Sequence, residues 1–159
     1  MKSILVRDIA LGEFEIVTKI YGESFNELYP ELATAALLRC PGAWCQLAVD
    51  EETGVPIGFL IARIILDEAE ILSIGIVSAA RRQGAAQRLL TAASARAMSL
   101  GALALHLEVG EDNQGAVALY RKMEFRATGI RPNYYRRANS RRVAAILMTR
   151  NLKSSYKTK

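Results

Sequence analysis

The segment that decides the fold is ILSIGIVSAARRQGAAQRLL, residues 71–90. An apolar run over 71–77 gives way to two arginines, a glycine and two alanines. A helical stripe of Leu89, Leu90, Ala93, Ala97 and Leu100 then follows. A strand–loop–helix junction of this kind suits an anion. The helix start offers unpaired N–H groups and the positive end of the macrodipole. Small side chains let an anion reach that backbone, and Gly84 tolerates angles that other residues resist. Arg81 and Arg82 would add charge-assisted bonds to the same oxygens. Neither G-x-x-x-x-G-K-[ST] nor G-x-G-x-x-G occurs, which excludes a nucleotide P-loop and a dinucleotide fingerprint.

Upstream of this segment, ILVRDI (4–9) reads as a strand, and apolar residues recur at helical spacing from Leu11 to Phe25. Gly22 and Asn26 end or bend that helix. Pro30 opens a second one, which Pro41-Gly42 stops. WCQLAV (44–49) and IGFLIARIIL (57–66) form a hairpin about the turn EETGVP, and AEILSIGIV (69–77) is a third antiparallel neighbour. Downstream, LALHLEV (103–109) has the nearly continuous apolar character of a buried parallel strand. A helix starts at Asn113 and runs through Val117, Tyr120 and Met123. Two strands, 125–137 and 141–150, close the chain. The expected class is α/β: a mixed, mostly antiparallel sheet with one parallel strand reached through a helical crossover, and helices on its faces. One domain is expected over 1–152, with 153–159 as a disordered basic tail.

The 159 residues are 51% hydrophobic and 23% charged, as in ordinary globular domains. No run approaches the ~18 apolar residues of a membrane span, and MKSILVRDIA is not the core of a signal peptide. A cytoplasmic protein without membrane contact is therefore expected. Cys40 and Cys45 read as two reduced core thiols, with no second pair to build a metal site. The net charge of +5 is unevenly distributed: residues 1–120 carry 9 basic and 15 acidic side chains, whereas 121–159 carry 12 basic and one acidic. Such a basic quarter either steers nucleic acid or an acidic partner to one face, or is a solvated edge.

A second motif narrows the anion. LEVGEDNQGAVALYRKMEF (107–125) places Glu108 on a central strand, Asn113 at a helix start, and Tyr120 about two turns along that helix. His106 and Glu108 face one side of the strand, and Leu105, Leu107 and Val109 the other. A carboxylate there is costly unless paired or used. His106 or a backbone amide could satisfy it, and Tyr120 could be a core aromatic.

Together, LSIGIVSAARRQGAAQRLL and LEVGEDNQGAVALYRKMEF resemble the central region of the GNAT superfamily of acetyl-CoA-dependent N-acetyltransferases. LEV…DNQGAVALYRKMEF and RPNYYR are similar to the members that acetylate protein N-termini, including the ribosomal-protein alanine enzymes. The resemblance implies the GNAT fold, with a parallel pair that splays to admit the cofactor. It implies that the loop Arg81, Arg82, Gln83, Gly84, Ala85 and Ala86 holds the pyrophosphate of acetyl-CoA. Ile74, Gly75 and Ile76 would pair with the pantetheine arm, and Asn113 would contact the cofactor. Glu108 is implied as general base, and Tyr120 as donor to the departing sulfur. Tyr134 and Tyr135, which strand alternation sends to opposite faces, would put one ring against the acceptor slot. No metal is implied.

These roles can be tested against proton affinities. A glutamate near ~4.3 taking a proton from an α-ammonium near ~7.8 is uphill by about 5 kcal/mol. Glu108 would therefore need burial, a relaying water, or proton receipt as attack occurs. An α-amine is roughly a quarter neutral near pH 7.4, and a lysine only about 0.1%, so N-termini are the easier acceptors. Three departures from the family pattern bear on the acceptor. GESFNELYPELA (22–33) lacks a Pro-Trp pair, Val143 and Ala144 stand where an acidic pair is frequent, and Ala86 replaces a common glycine. The expected activity is acetyl transfer by direct attack of an amine, the α-amine of a protein or peptide N-terminus, with a ribosomal protein as the candidate partner. Lysine or small-amine acetylation, and a ribosome- or nucleic-acid-binding module with little activity, are the alternatives.

Overall fold

The computed structural model of the chain describes residues 2–25 and 28–152. The expected tail, 153–159, and the expected helix-ending Asn26 lie outside the described residues. Seven strands alternate with four helices: β1 (Ile4–Asp8), α1 (Phe14–Phe25), α2 (Pro30–Leu38), β2 (Ala43–Asp50), β3 (Pro56–Ile65), β4 (Glu68–Ile76), α3 (Ala85–Ser99), β5 (Ala104–Gly110), α4 (Gln114–Lys122), β6 (Arg126–Arg136) and β7 (Arg142–Asn151). They form one sheet in the order β1-β2-β3-β4-β5-β7-β6. Every neighbouring pair is antiparallel except β4 and β5. This is the expected mixed α/β class, and the element boundaries fall close to those read from the sequence.

Alternation along the strands makes two apolar layers. On β2, Cys45, Leu47 and Val49 join Val17 and Ile20 of α1 and Phe59 and Ile61 of β3. Trp44 and Ala48 face the other way, toward a larger layer with Leu89, Leu90, Ala93 and Ala97 of α3, Val117 and Tyr120 of α4, and Leu105, Leu107 and Val109 of β5. Two-residue periodicity in strands and near four-residue spacing in helices account for this division. Cys45 is buried, and desolvation pushes its thiol up to about 12. Cys40 is only partly buried, so the expectation of two core thiols holds for one of them.

The first helix begins three residues later than the spacing from Leu11 predicts. Leu11 is fully exposed, while Glu13 turns back to accept from the Ala10 amide at 2.7 Å and from Arg7 of β1 at 2.6 and 2.8 Å. These bonds fix a turn over 10–13, which a helix could not share.

The parallel pair is the feature that shapes the middle of the molecule. β4 and β5 are in register only over Glu68–Ala104, Ala69–Leu105 and Glu70–His106. Beyond that point β4 stays with β3, where Ile74, Gly75 and Ile76 pair with Leu60, Phe59 and Gly58. β5 stays with β7 through Gly110. A break in register between Ile61 and Ala62 of β3 lies at the point of divergence and bends β4 away. A wedge of space thus opens between β4 and β5, with the start of α3 close to its β4 side.

Gly75, on the edge of this wedge, is required by close approach. A Cβ there would lie 2.7 Å from the Phe59 ring and 2.8 Å from Ser24 Oγ of α1. Gly75→Ala is therefore expected to cost about 1–3 kcal/mol through overpacking. Urea denaturation checks this; an unchanged midpoint would mean that α1 does not press on β4 at this position.

Candidate functional site

The loop from β4 to α3 is held by its own side chains. A single 3-10 turn, Ser78–Ala80, follows β4; Arg81 Nε donates to the Ile76 carbonyl at 3.1 Å, and Gln83 Nε2 to that of Ala79 at 3.1 Å. Gly84, the residue before α3, has φ 92° and ψ 1°, in the left-handed region. A Cβ there would meet nothing within 4 Å, so conformation and not space makes glycine the fitting residue. α3 has no side-chain cap and no acidic residue in its first turn. The start of this 15-residue helix, with Ala85 and Ala86 as its first residues, therefore leaves backbone donors open to an anion. Arg82 takes a different direction from Arg81. It lines a groove between α3 and β1, together with Lys2 and Arg88.

Beside the loop, the edge of Ile74, Gly75 and Ile76 that faces β5 has no strand partner. Backbone groups along such an edge need hydrogen bonds from elsewhere. An extended, amide-bearing chain running down the wedge would supply them in the manner of an added strand. Open helix donors beside an open strand edge fit a pyrophosphate joined to an amide-containing arm, which is the chemistry of coenzyme A.

Across the wedge, β5 presents Glu108. The apolar side of β5 is buried as expected, but the side that carries His106 and Glu108 is only partly buried. Glu108 keeps 23% of its side-chain exposure and lines a pocket of about 300 Å³. The strand expected to be buried is thus buried fully on one face only: α1 and α2 cover β2 to β4 and stop short of β5. His106 does not satisfy Glu108 either. It bonds to Glu68 and, at 2.8 Å, to Thr149. The partner of Glu108 is Arg131 of β6, whose Nε lies 3.0 Å from Oε1.

Asn113 caps α4, its Oδ1 accepting from the Ala116 amide at 3.2 Å. This cap aims α4 so that Tyr120 lies buried against Phe125, ring centroids 5.8 Å apart. Burial, with a smaller contribution from Tyr135, pushes the Tyr120 phenol up to about 12. Tyr135 is also raised, first by burial and then by the Glu108 charge. Tyr135 therefore lies within electrostatic reach of Glu108, and Tyr120 within that of Tyr135.

Tyr134 and Tyr135 do not face opposite sides. Their rings meet edge to face at 5.0 Å. The register of β6 and β7 breaks between Arg131 and Tyr135, where Asn133 has φ 53°, and this bulge turns Tyr134 onto its neighbour. Arg137 then packs over the Tyr135 ring at 4.9 Å and forks onto both oxygens of Asp112, at 2.8 and 2.9 Å. Gly110 makes room for the fork, since a Cβ there would lie 2.4 Å from Arg137 Nη2. The sequence reading missed Arg131, Arg137 and Asp112. The run EDNQG beside YYRR held a signal for the second pair, but not its register. Among the described residues, no cluster of His, Cys, Asp and Glu is placed to hold a metal ion, and no helix is long and apolar enough to cross a membrane.

Comparison with known proteins agrees with this fold. Residues 13–125 match the family model described as acetyltransferase (GNAT) family. The [ribosomal protein bS18]-alanine N-acetyltransferase of Haemophilus ducreyi is 32% identical over 143 residues, covering 84% of this chain and 97% of that protein. The crystal structure of the ribosomal-protein-S18-alanine N-acetyltransferase from Escherichia coli superposes with TM-score 0.86 over 99% of both chains at 23% identity. Arabidopsis thaliana NAA60 in complex with acetyl-CoA superposes with TM-score 0.80 at 21% identity, over 94% of this chain and 98% of that one. The latter two similarities are of fold.

The environment of Tyr120 gives a spectroscopic expectation. In an ultraviolet titration of the folded protein, Tyr120→Phe should remove amplitude from the limb near pH 12 and leave the ordinary phenol limb near about 10 intact. Loss from the earlier limb would place the Tyr120 hydroxyl in water.

Proposed function

Given that the chain belongs to the GNAT family of acetyltransferases, we propose that it transfers the acetyl group of acetyl-CoA to the α-amine of a protein N-terminus, of the ribosomal-protein alanine type. The chain is an N-acetyltransferase by family; the acceptor and the residue roles are the proposal. One observation carries it above the others. The open edge of Ile74–Ile76 faces a β5 strand whose Glu108 lies within electrostatic reach of Tyr135, and Tyr135 within that of Tyr120. The likeness to the bS18-alanine enzyme of Haemophilus ducreyi over 97% of that protein supports the acceptor.

In this reading, Gly84, Ala85 and Ala86 hold the pyrophosphate by backbone donors, with Arg81, Arg82 and Gln83 shaping the loop. Ile74, Gly75 and Ile76 bond the pantetheine arm, and Asn113 contacts the cofactor from the cap of α4. Acetyl-CoA supplies the thioester carbonyl that the amine attacks, with the thiolate as leaving group. Glu108 receives the amine proton. It is ion-paired and reached by solvent, so a relaying water, or proton receipt during attack, is the route that suits it. Tyr120 stays protonated and donates a hydrogen bond as charge grows on sulfur. Full transfer of its proton, from a phenol near about 12 to a thiolate near about 8.5, would be uphill by roughly 5 kcal/mol. Stabilising developing charge is the role that this phenol can fill. Tyr134 and Tyr135 form the wall against which the acceptor rests. No enzyme nucleophile is required.

Acetyl-CoA, which binds only the folded state, is expected to raise the melting temperature by a few degrees or more at a large excess over its Kd. Glu108→Gln and Tyr120→Phe are each expected to lower kcat by at least about ten-fold while that thermal shift is kept. Acetylation of a library of N-terminal peptides, beside N-blocked peptides that offer only lysine, checks the acceptor. Incorporation into free N-termini supports the reading. Normal rates in both variants, or incorporation into the lysine controls alone, would overturn it.

A further inference from the structure

On the side away from the wedge, the sheet ends in a strand that is open to pairing. β1 bonds β2 through its odd-numbered residues: the Glu51 amide donates to the Ser3 carbonyl and the Ile9 amide to the Cys45 carbonyl, both at 3.1 Å. In an antiparallel ladder the residues between such pairs turn their N–H and C=O the other way. Ile4 and Val6 therefore present theirs at the free edge, where the sheet order places no further strand. β6, the strand at the opposite end, has two shifts of register and carries Arg126, Arg131 and Arg136. Bulges and charges of this kind protect an edge. β1 runs unbroken along β2 with Ile4, Leu5 and Val6 in a row, and Leu5 is 47% exposed.

A groove of about 960 Å³ lies between this edge and α3. It meets the β4–α3 loop at Gly84 and follows the β1 flank of the helix, away from β5. Its charge has one sign: Lys2, Arg82 and Arg88 line it, and no acidic side chain does. That is unexpected in residues 1–120, where acids outnumber bases by 15 to 9. The acids nearest to β1 are engaged, Asp50 by Lys2 at 3.3 Å and Asp8 by Arg96 at 2.9 Å. Arg82 and Arg88 are exposed, and neither has a carboxylate partner among the described residues.

We infer that this groove takes an extended acidic segment of a partner protein as an added strand on β1. The backbone groups of Ile4 and Val6 bond the segment, in the manner of edge-strand recognition. Its side chains alternate between two faces. Those toward α3 are carboxylates that meet Arg82, Arg88 and Lys2, and those on the other face are apolar and lie beside Leu5. Alternate residues of a strand are about 6.6 Å apart, so three carboxylates fit along the length of β1. A second copy of the chain suits the groove less. Two-fold pairing of β1 with itself would bring both sets of cations to one seam that no carboxylate lines. Residues 153–159 carry three lysines and no Asp or Glu, so that segment has the wrong sign as well. Docking here leaves the wedge between β4 and β5 free, so a partner can be held while acetyl-CoA is bound.

The test uses N-terminally blocked, fluorescently labelled heptapeptides, which offer no α-amine: Thr-Glu-Val-Glu-Val-Glu-Thr and its Gln and Lys counterparts. Binding to the full chain is followed by anisotropy, with and without saturating acetyl-CoA. The Glu peptide is expected to bind about ten-fold or more tightly than the Gln peptide at low salt, and the gap should narrow as salt rises. The Lys peptide should bind least. Arg88→Glu is expected to remove the preference for Glu and Arg88→Lys to keep most of it, while acetyl-CoA leaves the Kd of the Glu peptide as it was. Hydrogen exchange reads the added strand itself. The bound Glu peptide should protect the amides of Ile4 and Val6 and leave unchanged those of Leu5 and Arg7, which β2 already holds. Equal binding of the Glu and Gln peptides, binding of neither, or a preference that survives Arg88→Glu would overturn the inference. So would a Glu peptide that binds without protecting Ile4 and Val6, which would reduce the groove to a patch of charge. Displacement of the peptide by acetyl-CoA would give the groove to the cofactor instead. A dimer in sedimentation that Val6→Pro dissolves would give the edge to a second copy.

Discussion

The rest of the structure depends on the parting of β4 from β5. Two parallel strands that stayed in register along their length would satisfy each other's backbone groups and close the middle of the sheet. Here pairing lasts for three residue pairs, and the two edges then follow different partners. The cost of unpaired backbone is tolerable only where water or a ligand can meet it. The wedge is made robust on both sides. Gly75 lets α1 and Phe59 press on β4 from behind, and the Asn113 cap and buried Tyr120 fix α4 beside β5. The left-handed Gly84 then starts α3 with its donors open. Binding and chemistry are thus arranged by packing, and few of the participating groups are on mobile side chains.

The electrostatics of the site follow from the same topology. Seven of the twelve basic residues of the last quarter lie on the β6–β7 hairpin, which the sheet order brings beside β5. Much of its charge meets carboxylates from earlier in the sequence: Arg131 with Glu108, Arg137 and Arg141 with Asp112, and Arg150 with Glu124. The charge asymmetry along the sequence is therefore partly an internal complementarity. It seats the two tyrosines through the Arg137 fork, and it leaves one cation, Arg131, on the carboxylate that faces the wedge.

The fold was legible because each element carried its own period and punctuation. Alternation in 43–76, the stripe on α3 and the Asn113 cap are local signals, and local geometry obeyed them. The meander of β2 to β4 and the helical crossover to a parallel strand also followed from the chain, whereas the insertion of β7 between β5 and β6 did not. What could not be read were features set by register between distant segments. Nothing local says that Arg131 will lie opposite Glu108, or that Gly110 vacates space for an ion pair 25 residues apart. The bulge that brings Tyr134 onto Tyr135 had a local trace in Pro132-Asn133, yet strand alternation outweighed it. Likewise, the apolar look of 103–109 gave the burial of one face of β5 correctly. How far α1 and α2 extend over the other face is a tertiary fact, and it leaves Glu108 open.

Hydrogen exchange along β4 tests the wedge most directly. In the free protein the slot-edge amides within Ile74–Ile76 should exchange quickly, while those of Ala69 and Glu70, where β4 still pairs with β5, are protected. On addition of acetyl-CoA, protection is expected to rise at Ile74–Ile76 and to stay as it was at Ala69 and Glu70. If acetyl-CoA binds and exchange at Ile74–Ile76 does not change, the open edge of β4 is not where the donor is held.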